Sequence, residues 1–480
     1  MASIPAFALS VTTQAPGALR SLVATPAAET SLTVSGPVDA SDLYFIAREM
    51  TALTALDLSD ATISAYSGEK IAGRYSFPEA TIPQHFFSGT GLQSVRLPSQ
   101  QGLTVADGAF ALTQLTTLDI PASVASVGDG AFTGCPQLTT VTFSAAKMGV
   151  GAFSACPRLD LVTIASRLDL PANAFADDAA LRVVAGSDYL LSVGPDAFRG
   201  CTALTSFSFG AALKAVDQRA FLRSGLQKAD LSACNALDSV GSWAFAECPS
   251  LTEANLAGAV TAGSGVVFMC PALTSFTPAA DEIGAYTLAH NTAMTADGII
   301  PDNIRVIGAH ALHGLSQLTA ITIPASVEEI GTGAMAGMTG LESIDTEATA
   351  VPALGEEVWR GVDQSKVILN VPPHTGADYE AAAQWQDFII KDPAVAEITD
   401  AAPDGAHSLR GRFAGTELQL SITGTDIERI TLHDPAGLLL IAVEPSDSFV
   451  AIDTAGFTNR VFIISAVLAD GRTATLKLVR

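Results

Sequence analysis

The stretches AFTGCPQLTTVTF (131–143), AFSACPRLDLVTI (152–164), AFRGCTALTSFSF (197–209) and AFAECPSLTEANL (244–256) repeat one pattern. Each opens on Ala-Phe, carries a cysteine three residues after the phenylalanine and a leucine three residues further on, and then alternates apolar with polar residues. Aligned on the phenylalanine, the pattern runs through Phe87, Phe110, Phe132, Phe153, Phe175, Phe198, Phe221, Phe245 and Phe268, and continues with Leu288, Leu312 and Met335. These twelve anchors are spaced by 20–24 residues. A fixed period of that length is the signature of a stacked solenoid. One unit cannot bury its own apolar side, but stacked units share a continuous core and each contacts only its neighbours.

Within a unit, a second apolar residue follows the anchor by five or six positions: Leu92, Leu115, Leu138, Leu159, Leu181, Leu204, Leu226, Leu251, Leu273, Met294, Leu318 or Leu341. The period-two run after it predicts a short strand, with Val141 and Phe143 on one side and Thr140 and Thr142 on the other. LTAITI (318–323) and LTSFSF (204–209) repeat this run. Ile-Pro at 120–121 and 323–324 marks strand ends, since proline cannot donate to a ladder. A V-x-x-[VI]-G stretch follows, as at Val124–Gly128 and Val327–Gly331. Its glycine is expected to provide the backbone turn into the next anchor.

The pattern [IV]-P-x-x-V-x-x-[IV]-G-x-x-A-F-x-x-C-x-x-L-x-x-[VI]-x-[IFL] resembles the BspA-like, or Treponema pallidum type, leucine-rich repeats of bacterial surface proteins. The likeness covers roughly residues 80–395. It implies a β-rich solenoid, a right-handed superhelix of about twelve repeats. VILNVPPHTGADYEAAAQWQDFII (367–390) is similar to the segment that closes such arrays, with Tyr379, Trp385 and Phe388 placed to seal the last repeat. LTVSGPVDASDLYFIAREMTALTALDLSDATI (32–63) resembles the N-terminal cap region of Bacteroidetes members, with Leu53, Leu56 and Leu58 marking its first strand-like unit.

Residues 397–411 read as a linker. Six apolar or alternating runs follow and predict a small β-sandwich. DTAGFTNRVFIISAVLADGRTATLKLVR (453–480) resembles a type IX secretion sorting domain through Asp453, Gly456, the strand 461–468, Asp470, Gly471 and the closing Lys477–Arg480. It departs from that pattern at Arg460, Val461 and Phe462. The expected division is therefore an N-terminal cap or entry region over 1–80, the solenoid with its C-terminal cap over 81–395, and a sorting-domain-like sandwich over 400–480. The sorting domain implies contact with secretion machinery and a secreted or outer-surface location. The N-terminus, MASIPAFALSVTTQAPG, has neither the basic start nor the long apolar stretch of a signal peptide.

With 25 basic and 49 acidic residues the formal charge is −24, and no basic stripe is present. Nucleic acid and anionic membrane surfaces are therefore excluded as partners. No apolar run reaches the roughly 18–20 residues of a membrane span.

Candidate chemistry is sparse. Cys135, Cys156, Cys201 and Cys248 sit three residues after their anchors, and Cys270 two after Phe268; with Cys234 they are expected to be free, buried thiols. His310 and His313 form an HxxH that could place two imidazoles on one helical turn, but no third ligand follows. Asp177-Asp178, Asp281-Glu282 and Glu356-Glu357 are expected to be solvated turn charges, not calcium ligands. No nucleophile elbow, phosphate loop, dinucleotide fingerprint or zinc-protease motif is present. The chain reads as a non-enzyme with no cofactor and no metal.

Positions two and four after each Leu give an outward ladder, the concave binding face in leucine-rich repeats. This ladder is rich in Ser and Thr, as at Ser94, Thr117, Thr140, Thr142, Ser206 and Ser343. Its candidate contact residues are Arg96, Asp119 and one mixed-charge patch of Lys228, Asp230, Glu253 and Asn255. It carries no Trp or Tyr, the side chains that favour sugars and protein hot spots. The favoured expectation, which rests on the resemblance, is adhesion to a protein of a host or neighbouring cell. A glycan-binding accessory protein and a structural surface-layer component are the other two readings.

Overall fold

The computed structural model describes residues 9–294 and 299–393. Of the C-terminal region it describes 408–414, 417–423, 427–434, 437–445, 449–454, 456, 461–469 and 473–479. Phe87, Phe110, Phe132, Phe153, Phe175, Phe198, Phe221 and Phe245 are fully buried in one column. Consecutive rings lie 5.1–5.6 Å apart and within 15° of parallel. Main-chain bonds lock the coils in step at each ring, as Phe132 N donating to Ala152 O at 2.9 Å. The leucines five or six residues on are buried beside the column.

The alternating runs form parallel ladders on one side of the solenoid. Thr117–Ile120, Thr140–Phe143, Leu161–Ile164 and Val183–Ala185 make one sheet in unbroken register, Thr142 lying beside both Asp119 and Thr163. Lys228–Asp230, Glu253–Asn255 and Ser275–Thr277 make a second. Ala320–Ile323, Ser343–Thr346, Ile368–Asn370 and Ile389–Lys391 make a third. Val141 and Phe143 are buried and Thr140 and Thr142 half-exposed, as the period-two reading requires.

Four expectations need correction. The V-x-x-[VI]-G stretch is itself a strand. Leu103–Val105 with Val124–Val127, and Leu190–Val193 with Ala215–Val216, belong to a second set of parallel ladders, so most coils carry two strands. Its glycine is needed for close approach and not for a turn: a Cβ on Gly128 would lie 2.6 Å from Asp107 N, and one on Gly331 2.7 Å from Ala309 N.

The positive-φ positions lie elsewhere, two residues before and two after the anchor. Asn173 and Asp177 flank Phe175 in this way, with φ of 56° and 64°. Next, Phe268 is not an anchor. Phe245 N bonds Val266 O, which puts the fully buried Val267 in the column. Phe268 is only half-buried and packs its edge on Trp243 at 4.9 Å. Measured from Val267, Cys270 sits three residues on, like the other cysteines of its row. Finally, LTSFSF forms no strand over 205–209.

At the N-terminal end, Leu9–Thr12, Ser31–Val38, Ala55–Ile63 and Ser94–Arg96 form a parallel sheet. The helix Ala40–Glu49 connects two of these strands. Asp39 caps it, accepting from Ser41 N and Asp42 N, while Asp42 reaches back to Asp39 N. At the other end Trp359 takes the anchor position after Met335, since Met335 N bonds Val358 O. It meets Trp385 at 5.5 Å and Phe388 at 5.0 Å, and Tyr379 meets Trp385 at 5.4 Å. Tyr379, Trp385 and Phe388 are all buried, so aromatic rings cover the end of the column.

The C-terminal strands form two antiparallel sheets. One orders Ser408–Ala414, Glu417–Thr423 and Phe449–Asp453; the other orders Leu439–Val443, Ile427–His433, Val461–Leu468 and Thr473–Val479. Their core is separate from the solenoid's and includes Leu418, Leu420, Ile430, Ile452, Phe462 and Ile464. Among the described residues there are seven strands, one more than the six runs. The additional one begins at Ser408, inside the segment read as linker, whose residues 397–407 lie outside the described residues. Asp470, Gly471 and Arg480 of the sorting-domain likeness also lie outside them.

Candidate ligand-binding face

Side chains on the outer side of the first set of ladders are held by strand alternation, each pinned by a buried neighbour. Lys228–Asp230 and Glu253–Asn255 pair in parallel register, Lys228 beside Glu253 and Asp230 beside Asn255. Ala229 and Ala254 lie beneath them, buried in the core. The Lys228 ammonium reaches a Glu253 carboxylate oxygen at 2.8 Å. That contact raises the Lys228 pKa. Asp230 is held by the Ser232 hydroxyl at 2.6 Å and by Ser232 N at 3.0 Å, and its pKa is lowered. The four residues thus form one patch of mixed charge, exposed enough that their ion pairing adds little stability.

Arg96 and Asp119 are not part of that patch. They occupy equivalent positions on successive coils near the N-terminal end. Arg96 pairs with Asp57 of the entry sheet at 3.3 Å.

Between the two groups the ladder is open. Gln227 N still donates to Thr205 O at 3.1 Å, but Ser208 is tied through its N and O to the Ser187 hydroxyl, at 3.2 and 3.0 Å. Phe207 and Phe209 lie at this departure. Their rings stand edge-on to Phe221 at 5.0 and 5.6 Å, and the equivalent inward positions of the next coil are Ala229 and Leu231. A cavity of about 250 Å³ results, lined by Val183–Asp188 and Ser206–Ser208. Val183 stands 49% exposed at its rim. Nothing in the alternation of LTSFSF signals this opening.

The aromatic side chains missing from this face lie on another edge. Tyr286 stacks on His310 at 4.9 Å, with Trp243 6.4 Å from Tyr286. His313 sits 5.7 Å from His310 and 5.0 Å from His290. His310 has φ of 55°, so the HxxH is a turn and not a helical pair. Among the described residues no group of three His, Cys, Asp or Glu is arranged to hold a metal ion. No described helix is long and apolar enough to cross a membrane.

Asp178 also departs from expectation. It is fully buried, not solvated, and occupies the cysteine position of its coil. Cys156 N donates to its Oδ1 at 2.7 Å, its Oδ2 has no partner, and burial pushes its pKa well above the carboxylate range.

The signature of the BspA type leucine rich repeat region matches residues 75–182, 169–295 and 281–369, well over half of the chain. The chain belongs to the BspA-type leucine-rich-repeat family. Among solved structures, this BspA-type chain is similar to a leucine-rich repeat protein from Bacteroides ovatus, with 18% identity and a TM-score of 0.50, covering 75% of this chain and 83% of that one. It is also similar to a leucine rich cell surface protein from Faecalibacterium prausnitzii, with 20% identity, a TM-score of 0.33 and coverage of 59% and 94%. A leucine-rich repeat protein from Eubacterium ventriosum matches at 12% identity, a TM-score of 0.35 and coverage of 70% and 83%. No curated protein matches. The family is one of non-enzymatic repeat proteins, and the first of these likenesses speaks to the fold alone.

Proposed function

We propose that this protein is a secreted or surface-displayed adhesin that binds a protein of a host or neighbouring cell on the outer face of its first set of ladders. The observation that carries the reading is the register of Lys228–Asp230 against Glu253–Asn255, which fixes four polar side chains beside an open cavity. Much of the rest of the face is Ser and Thr, with Arg96 and Asp119 near its N-terminal end and Asp345 and Asn370 nearer the other. Arg96 and Asp119 would extend the contact to a long ligand. The C-terminal sandwich is assigned the role of a sorting domain that engages secretion machinery, on the likeness around Asp453 and Gly456.

The test is a binding screen of the full chain against immobilised extracellular-matrix proteins and a glycan panel at physiological salt. A saturable protein signal weakened at least several-fold by Lys228→Ala or Glu253→Ala supports the proposal. Glycan binding without protein binding favours the accessory reading. For that reading the Trp243–Tyr286 edge supplies the aromatic rings that the ladder face lacks. Self-association with no heterologous ligand favours the surface-layer reading.

A further inference from the structure

The position three residues after each anchor forms its own buried row across the coils. It runs Thr113, Cys135, Cys156, Asp178, Cys201, Ser224, Cys248, Cys270, Asn291. Every member is fully buried, with relative exposure of 0%. The cysteines share one role: each thiol donates to the carbonyl of the anchor in the preceding coil, Cys135 to Phe110 at 3.4 Å, Cys156 to Phe132 at 3.4 Å and Cys270 to Phe245 at 3.2 Å. Their order distinguishes them. Cys135 and Cys156 are neighbours in the row, and so are Cys248 and Cys270. Cys201 stands between Asp178 and Ser224, and Cys234 lies outside the row.

We infer that Cys135–Cys156 and Cys248–Cys270 are two built oxidation sites that close to disulfides stapling adjacent coils, while Cys201 and Cys234 stay reduced. The coils at the first pair are registered by Gly134 N donating to Ser154 O at 2.9 Å, and their anchor rings lie 5.4 Å apart. At the second pair Glu247 N donates to Phe268 O at 2.7 Å. Neighbouring parallel strands lie about 4.7–4.9 Å apart, a spacing within the roughly 4.4–6.8 Å between Cα atoms that a disulfide spans. Within each pair the neighbouring thiol lowers the pKa of Cys135 and of Cys248, while the neighbouring thiol and burial raise those of Cys156 and Cys270, so Cys135 and Cys248 are the attacking members.

The oxidant is a disulfide donor, either a thiol oxidoreductase or a low-molecular-weight disulfide such as oxidised glutathione. The Cys135 thiolate attacks one donor sulfur, forming a mixed disulfide and releasing the first donor thiolate. Cys156 then loses its proton and attacks Cys135 Sγ, releasing the second. Two electrons pass to the donor, and the two thiol protons end on the two donor thiols. Because the thiols are buried, the donor reaches them through local opening of the coils, and the reaction is slow.

The experiment incubates the purified, fully reduced full chain with oxidised glutathione for hours, below its melting temperature. It is then denatured, alkylated and mapped by mass spectrometry. Trypsin separates Cys135 from Cys156 at Lys147, and cleavage after Glu253 separates Cys248 from Cys270. The expected result is two alkylated cysteines, Cys201 and Cys234, with cross-linked peptides joining 135 to 156 and 248 to 270, and a higher apparent melting temperature than the reduced chain. Cys135→Ser, checked for folding by its melting curve, is expected to lose the first link and keep the second. Six alkylated cysteines after oxidation, or links through Cys201 or Cys234, overturn the assignment.

Discussion

Single residues separate the column from its surroundings. Phe153 is enclosed between Phe132 and Phe175, so Phe153→Ala leaves a ring-sized void and should cost about 3–5 kcal/mol. Phe268 lies outside the column, and Phe268→Ala should cost less than about 2 kcal/mol despite its place in an apparent Val-Phe anchor. Chemical denaturation of the two variants checks this, and equal costs would restore Phe268 as the anchor. Asp178 makes a second contrast. Asn291 fills the equivalent slot and accepts from Cys270 N at 2.7 Å, as Asp178 does from Cys156 N. Asp178→Asn keeps that bond and removes a buried carboxyl, so it should stabilise the protein at pH 7 by about 1 kcal/mol or more.

The sign with pH follows from the raised pKa of Asp178. The native state holds its proton to higher pH than the unfolded chain. The wild type therefore recovers stability as pH falls through the native pKa towards about 4, and the advantage of Asp178→Asn should shrink over that window. Melting curves of both proteins between pH 7 and pH 4 measure it. A constant advantage would show that the carboxyl does not titrate as described.

Among elements, the first ladders were readable because a period of two is visible over four residues, and the alternation at 140–143 is the alternation observed. Val141→Asp should accordingly cost several kcal/mol by placing an unpaired charge in the column. Thr142→Lys sets its ammonium beside Asp119 and should change stability by less than about 0.5 kcal/mol. Equal tolerance in denaturation would invert the faces. The second ladders were not readable, because strands such as Val306–Ile307 span two residues and show no period. Their glycines looked like turn residues because sequence does not distinguish positive φ from lack of room. The opening at 205–209 was hidden for another reason. LTSFSF alternates as the paired runs do, so its alternation does not mark the break. Of the contact residues, exposure followed from alternation and the patch of Lys228, Asp230, Glu253 and Asn255 from their equivalent places on successive repeats, while the ion pair of Lys228 with Glu253 and that of Arg96 with Asp57 depend on side-chain reach.

For the whole molecule, the account is a long array whose two sets of ladders look outward on different sides, with a separate C-terminal core. The proposed binding role is assigned to the first set. Lys228 and Lys214 give a matched pair. Both are exposed and both carry one positive charge, but Lys228 lies on the proposed binding face and Lys214 leads into the other ladder at Ala215–Val216. The most direct measurement is the affinity of full-length Lys228→Glu and Lys214→Glu for the protein ligand found in the screen. The account predicts that Lys228→Glu weakens binding at least tenfold while Lys214→Glu stays within about twofold of wild type, the size expected of a charge at a contact against one outside it. Equal weakening by both, or loss with Lys214→Glu alone, would contradict it.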